Sequence, residues 1–191
     1  MSAKRPPNVP RFEVERKFES NHNTIHDRLT DAGFEQTAEL SQVDRYLDHP
    51  QRHFETTDEA LRLRVITAVD GAHPRCELTY KGPRRGSQAK ARRELSVELD
   101  DPAAAQELLI AVGFDPVASV EKRRICFNRG DETVVLDTVD GLGEYVEVEL
   151  VHDDIDAAEV ALDRLIDELG LDLEREVSAT YLELILRNNS K

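Results

Sequence analysis

Cysteine is scarce. The 191 residues hold two, Cys76 and Cys126. Two cannot frame a disulfide-stapled fold, and no pair has the spacing of a zinc site. Long apolar runs are missing as well. None approaches the length of a membrane span, and the N-terminal residues carry no signal-peptide core. The expectation is a soluble, cytoplasmic protein with no membrane partner. Positive charge is also short: 25 Lys and Arg stand against 39 Asp and Glu, a net charge of −14. Such a surface argues against general binding of nucleic acid or anionic membrane. Lys is the scarcer cation, and acids coat the helical stretches, which suits a salt-rich cytoplasm where self-repulsion is screened. What is present suffices for one domain, since 39% hydrophobic residues over this length supply a sizeable core.

Residues 1–11, with Pro6, Pro7 and Pro10, form a loose lead-in. One domain is expected over 12–187, and 188–191 is a tail. Alternation marks strands over 12–18, 42–48, 60–69, 75–81, 92–99, 119–128, 133–139 and 144–151. Asp70-Gly71 signals a turn, 49–58 a polar loop and 84–91 a basic loop. Helices are expected from Asn23 or Thr24 to Gly33, from Pro102 to Gly113 with Leu108, Leu109 and Val112 inward, over 154–169, and near 178–187. Gly33-Phe34-Glu35 and Gly113-Phe114-Asp115 each follow a helix and precede a strand, which implies two similar halves forming one domain, since neither could bury its sheet alone.

Charge follows strand parity. In Phe12-Glu13-Val14-Glu15-Arg16-Lys17-Phe18, two carboxylates and an ammonium share one face, and the other is mostly apolar. Arg62 pairs with Arg64, Glu77 with Thr79 and Lys81, Arg92 with Glu94, Ser96 and Glu98, Lys122 with Arg124, and Glu147 with Glu149. An open antiparallel sheet with one wet face could carry such a mixture. The sharper expectation is an α+β fold: a closed eight-stranded antiparallel barrel, polar inside, with amphipathic helices outside. Crowded cations repel and call for an anionic guest. Arg and Lys suit phosphate oxygens, and neighbouring carboxylates suit a hard divalent cation, Mg²⁺ or Mn²⁺.

The ordered set Glu13-Val14-Glu15-Arg16-Lys17, Gln42-Val43-Asp44-Arg45-Tyr46, Leu61-Arg62-Leu63-Arg64, Leu78-Thr79-Tyr80-Lys81-Gly82-Pro83, Arg92-Arg93-Glu94, Lys122-Arg123-Arg124, Leu136-Asp137 and 142–149 resembles the CYTH superfamily of triphosphate tunnel enzymes over roughly 12–185. It is most similar to the class IV adenylate cyclase branch, which includes thiamine-triphosphatase-like members. The resemblance implies a triphosphate small molecule as substrate and a divalent metal, Mg²⁺ or Mn²⁺. It implies that Lys17, Arg62, Arg64, Lys81, Arg92, Lys122 and Arg124 grip phosphates. It also implies that Glu13, Glu15, Asp137, Glu147 and Glu149 hold metal or orient its waters. Glu13, Glu15, Lys17, Tyr46 and Lys81 are the candidate catalytic groups; Tyr46 either orients a water or leaving group or simply packs. Ser96 stands where relatives often carry a second Glu, and Glu98 is the expected substitute.

The rest of the chain offers less. The 82–90 loop lacks the Gly-Lys-Ser/Thr ending of a P-loop. His22 with His26, and His49 with His53, have no third ligand for zinc. Cys76 is expected to be a small buried hydrophobe, and Cys126 to lie near the tunnel's end. Two reactions fit one such site: cyclisation of ATP to cyclic AMP and pyrophosphate, or triphosphatase action on thiamine triphosphate, inorganic triphosphate or nucleotides. A non-catalytic polyphosphate-binding module and a structural β-domain with internal salt bridges are the rivals. A homodimer is left open.

Overall fold

The computed structural model describes residues 12–69, 74–84 and 90–189, without the side chains of residues 12, 13, 90 and 91. In chain order the elements are β1 (Phe12–Glu19), α1 (His22–Asp31), β2 (Glu35–Asp48), α2 (Phe54–Thr57), β3 (Ala60–Ala68), β4 (Arg75–Lys81), β5 (Lys90–Arg92) and β6 (Glu94–Leu99). Then follow α3 (Pro102–Ala111), β7 (Asp115–Arg129), β8 (Glu132–Val139), β9 (Gly143–His152), α4 (Ile155–Leu169), a 3₁₀ turn at Leu173–Arg175, and α5 (Tyr181–Asn189). The turn expected at Asp70-Gly71 and most of the basic loop expected over 84–91 lie outside the described residues. Among the described residues no helix is long and apolar enough to cross a membrane.

All strands pair antiparallel, in the order β5-β1-β9-β8-β7-β2-β3-β4-β6. The closed eight-stranded barrel expected from the sequence therefore appears as a nine-stranded sheet whose order is open. The single strand expected over 92–99 breaks at Arg93. Before the break Arg92 pairs with Glu13 of β1, and after it Glu94 pairs with Lys81 of β4. Arg93 turns the chain between two partners, and its carbonyl accepts from the Gly82 amide at 2.9 Å, the next position in the register of β4 with β6.

The alternation read from the sequence decides what each face buries. Outward, Val14, Phe18, Phe127, Leu136, Val146 and Val148 pack against Ile25 and Leu29 of α1 and Ala158, Leu162, Leu165, Ile166 and Leu169 of α4. Asp154 caps α4, accepting from the Ala157 amide at 3.1 Å, and Gly170 ends it in a left-handed conformation with φ 58°. A second, smaller core holds Leu47, Phe54, Leu61, Leu63 and Cys76, with Ala105 and Leu109 of α3 against it. Leu108 and Val112, expected inward, are 65% and 66% exposed. Leu109 alone of the three lies on the stripe of α3 that meets the sheet.

Other expectations shift as well: Asn21, not Asn23 or Thr24, caps α1, and β2 starts at Glu35. The 49–58 loop contains α2, because Phe54 is buried and its amide donates to Asp48 Oδ1 at 2.7 Å. The last helix starts at Tyr181 instead of Ser178. Thr180 and Glu183 form a capping box there: the Thr180 amide donates to Glu183 Oε2 at 2.5 Å and the Glu183 amide to Thr180 Oγ1 at 3.2 Å.

Candidate active site

The inward face surrounds a cavity of about 1110 Å³. Lys17, Arg62, Arg64, Lys81, Arg92, Lys122 and Arg124 all line it, so the seven cations expected to bind phosphate converge from β1, β3, β4, β5 and β7. Most are out of water: Lys17 is 1% exposed and Lys122 5%. Ammonium and guanidinium groups this deep need countercharge, and carboxylates on adjoining strands supply part of it. Asp44 accepts from Arg64 Nε at 2.5 Å and Nη2 at 2.7 Å. Asp137 accepts from Arg124 at 2.7 and 2.6 Å and from Lys122 at 3.1 Å. Lys81 is paired with Glu94.

These contacts set the protonation states. Burial opposes ionisation of Asp137, but the Arg124 and Lys122 charges override it and hold its carboxyl far below the ordinary range. Asp44 is depressed in the same way, with the Arg64 hydrogen bond overriding burial. Burial and the Arg124 charge push the Lys122 ammonium down, against the pull of Asp137. Burial and the Asp44 charge push the Tyr46 hydroxyl up, so near neutral pH it is a hydrogen-bond donor and not a base.

The acids divide. In the ladder between β1 and β9, Glu15 lies opposite Glu149, and Lys17 opposite Glu147. Glu15, Glu147 and Glu149 each offer a carboxylate oxygen, all within 4.8 Å of one another, and all three line the cavity. Three hard oxygens facing one space fit a divalent cation. Arg124 touches two of them, Glu147 at 2.5 Å and Glu149 at 3.5 Å. Asp137, expected among the metal ligands, stands apart from this group: it is fully buried, and both its oxygens are engaged by Arg124 and Lys122. The Glu13 side chain lies outside the described residues. Ser96 lines the cavity, 2.9 Å from Thr79 Oγ1, whereas Glu98 is exposed and does not line it. On that wall the further acid is Glu77, 2.6 Å from Thr79 Oγ1.

The cavity has a second character where β2 gives way to α2 and β3. Leu47, Phe54 and Leu61 line it there, and Leu182 and Leu186 of α5 add apolar surface. Arg84 joins the surrounding segments, 2.8 Å from Asp58 beyond α2 and 3.3 Å from Glu183 of α5.

The expected site missed Tyr181. Its ring lies in the cavity wall, with Lys17 Nζ 4.0 Å and Lys122 Nζ 4.9 Å from its centroid. The signal available was Thr180-Tyr181-Leu182-Glu183, a capping-box pattern that puts a tyrosine at the first helical position. The remaining candidates lie elsewhere: His49 packs edge-on to Phe114, His22 Nε2 meets the Tyr145 carbonyl at 3.0 Å, Cys76 is buried and Cys126 half-buried.

With the inward charges and their strands in place, comparison with known proteins is direct. Residues 11–181 match the CYTH domain model. The chain belongs to the CYTH domain family. A Methanocaldococcus jannaschii protein, MJ0240, named as a proposed adenylate cyclase, is 30% identical over 177 residues, which is 91% of this chain and 98% of the relative. The solved structure of the PH1819 protein from Pyrococcus horikoshii superposes with a TM-score of 0.84 at 35% identity, covering 92% of this chain and 99% of that one. A Vibrio parahaemolyticus structure described as a proposed adenylate cyclase gives a TM-score of 0.78 at 26% identity, covering 92% and 98%.

Proposed function

We propose that this CYTH domain is a divalent-cation-dependent enzyme that acts on an organic triphosphate held in the cavity, by the class IV adenylate cyclase reaction. The observation that carries the reading is the confrontation, across one space, of seven cationic side chains with the Glu15, Glu147 and Glu149 carboxylates. Anion binding alone has no use for grouped acids beside the cations. The names of the M. jannaschii and V. parahaemolyticus relatives agree with a cyclase. The substrate is taken to be organic because Leu47, Phe54, Leu61, Leu182 and Leu186 line the same cavity, and phosphate oxygens have no use for apolar walls.

Within this proposal the 90–99 segment closes the sheet into a tunnel, with β5 against β1 and β6 against β4. Lys17, Arg62, Arg64, Lys81, Arg92, Lys122 and Arg124 bind the phosphate oxygens and neutralise charge that builds on the leaving pyrophosphate. Glu15, Glu147 and Glu149 would hold Mg²⁺ or Mn²⁺, which when bound supplies further charge neutralisation at the phosphates. Asp44 and Asp137 hold Arg64, Arg124 and Lys122 in place on the inward face. The apolar side chains fix the organic group, so that its ribose 3′-hydroxyl stands in line with the α-phosphorus. Hydrolysis would use the same cations and acids with water in place of that hydroxyl.

The test is incubation with ATP, thiamine triphosphate or inorganic triphosphate, each with Mg²⁺ or Mn²⁺, followed by product identification. Cyclic AMP and pyrophosphate from ATP are expected. Release of terminal phosphate alone would replace the cyclase with a triphosphatase. Failure to turn over any of the three with either metal would overturn the enzyme reading.

A further inference from the structure

Lys17 and Lys122 come from β1 and β7, which are separated in the sheet by β9 and β8. Yet their ammonium groups share one aromatic ring. Lys17 Nζ lies 4.0 Å and Lys122 Nζ 4.9 Å from the Tyr181 centroid, both within cation–π range. The ring is itself held in place. Tyr145 meets it edge-on at 5.2 Å, and the Thr180–Glu183 capping box fixes the start of α5 beneath it. The tyrosine is 7% exposed, so the contact is sheltered from water, where such interactions are strongest.

A ring suits this place better than a carboxylate would. The inward face already carries Asp44, Asp137, Glu15, Glu147 and Glu149. One more carboxylate against the lysines would cancel charge meant for phosphate. An aromatic face attracts ammonium through its quadrupole and adds no net charge. The Tyr181 hydroxyl is buried near the Asp137 and Glu147 carboxylates without a hydrogen bond among the described residues, so the inference concerns the ring face alone.

We propose that Tyr181 is a positioning residue whose ring face holds Lys17 and Lys122 toward the triphosphate and so raises triphosphate affinity. The inference rests on the reading of the cavity as a triphosphate site. It assigns to α5 a share in binding through lysines of two distant strands, with no phosphate contact of its own.

The experiment varies ring electrons at nearly constant shape. Tyr181→Phe is compared with phenylalanines bearing one, two and three ring fluorines at position 181, and with Tyr181→Leu. Tripolyphosphate binding is measured by isothermal titration on the full chain, with folding checked by circular dichroism. Tyr181→Phe should bind within about twofold of the parent. Each fluorine should weaken binding by about twofold to threefold, and Tyr181→Leu by roughly tenfold or more, from the strength of desolvated cation–π contacts. A flat fluorine series, with the parent still binding tripolyphosphate, would overturn this inference and leave the triphosphate site standing. No tripolyphosphate binding by the parent would overturn both. The fluorinated side chains differ from phenylalanine too little to unfold the protein, so the trend is readable even if Tyr181→Leu fails to fold.

Discussion

The two faces of one strand, β1, both bury side chains and are chemically opposite. Val14 and Phe18 are 0% exposed on the outward side, and Lys17 is 1% exposed on the inward side. The outward face is closed by α1 and α4 with dispersion and apolar burial. On the inward face, ammonium, guanidinium and carboxylate groups from several strands of the same sheet are set against one another. Burial alone therefore says little about purpose. Apolar burial stabilises a fold without further justification, whereas a buried ionic set is commonly replaceable by apolar side chains at no loss of stability. Retention of so many charges on one wall points to a ligand, and the two walls should respond differently to mutation, pH and metal.

The largest effects should come from removing one member of each wall. Phe18→Ala should cost about 3–5 kcal/mol, the range for a large core side chain, at any pH at which the protein folds. Asp137→Asn should also cost about 3–5 kcal/mol at neutral pH, because Lys122 and Arg124 lose their shared countercharge. Its cost, unlike that of Phe18→Ala, should shrink in acid. A carboxyl depressed in the folded state contributes stability fully above its unfolded pKa of about 4 and loses it as pH falls toward the folded value. Asp44 and Asp137 are both depressed, so the parent should weaken progressively below about pH 4. Urea unfolding at pH 7 and pH 3 measures this. Equal Asp137→Asn costs at the two values would show that the ionic wall is no more pH-sensitive than the apolar one.

A smaller effect should divide the inward wall itself. Glu149→Gln should lower the metal-supported rate by roughly 10- to 100-fold, the scale on which metal affinity or activity responds to groups around a metal. It should leave metal-free tripolyphosphate affinity within about threefold, because the cations stay in place. Rate against Mg²⁺ and Mn²⁺ concentration, together with titration of tripolyphosphate in chelator, reads both quantities. An unchanged metal requirement would return Glu149 to the role of a partner for Arg124, 3.5 Å away.

Much of this contrast was legible before the fold was known, because period two is a property of any strand. Glu15 and Lys17, Arg62 and Arg64, and Glu147 and Glu149 reach the cavity on parity alone. Parity cannot say where a strand ends or changes partner. The stretch Glu35-Gln36-Thr37-Ala38-Glu39-Leu40 alternates only weakly, through Ala38 and Leu40, yet β2 runs through it because β7 pairs with it along most of its length. The break at Arg93 depends on which two edges the segment spans, which no local pattern encodes. Parity was also imperfect on the outward side. Arg16 sits among the apolar residues of β1 and is held by Glu176 at 2.9 and 2.5 Å and by Asp163 at 2.6 Å. Both acids lie far along the chain, on or beyond α4. Tyr181 escaped for the same reason, since its partners are on β1 and β7.

The smallest expected effect concerns α3, where the sequence misjudged which side of a helix is covered. Leu108, Leu109 and Val112 read as one apolar face, but only Leu109 packs on the second core, and Leu108 is 65% exposed. The α3 stretch Ala103-Ala104-Ala105-Gln106-Glu107-Leu108-Leu109-Ile110-Ala111 is apolar on several sides, so spacing leaves the helix free to rotate about its axis. The register is chosen by Ala105 and Leu109 meeting the outward faces of β2, β3 and β4. Leu109→Ala should then cost about 1–2 kcal/mol, less than a fully buried leucine because the site is half-buried. Leu108→Ala should stay within about 0.5 kcal/mol, since it removes little contact and alanine favours the helix. Paired urea titrations at one pH measure the difference. A Leu108→Ala cost equal to that of Leu109→Ala would mean that the face of α3 bearing Leu108 is covered in solution, and that this half of the molecule buries its outward wall as fully as α1 and α4 bury theirs.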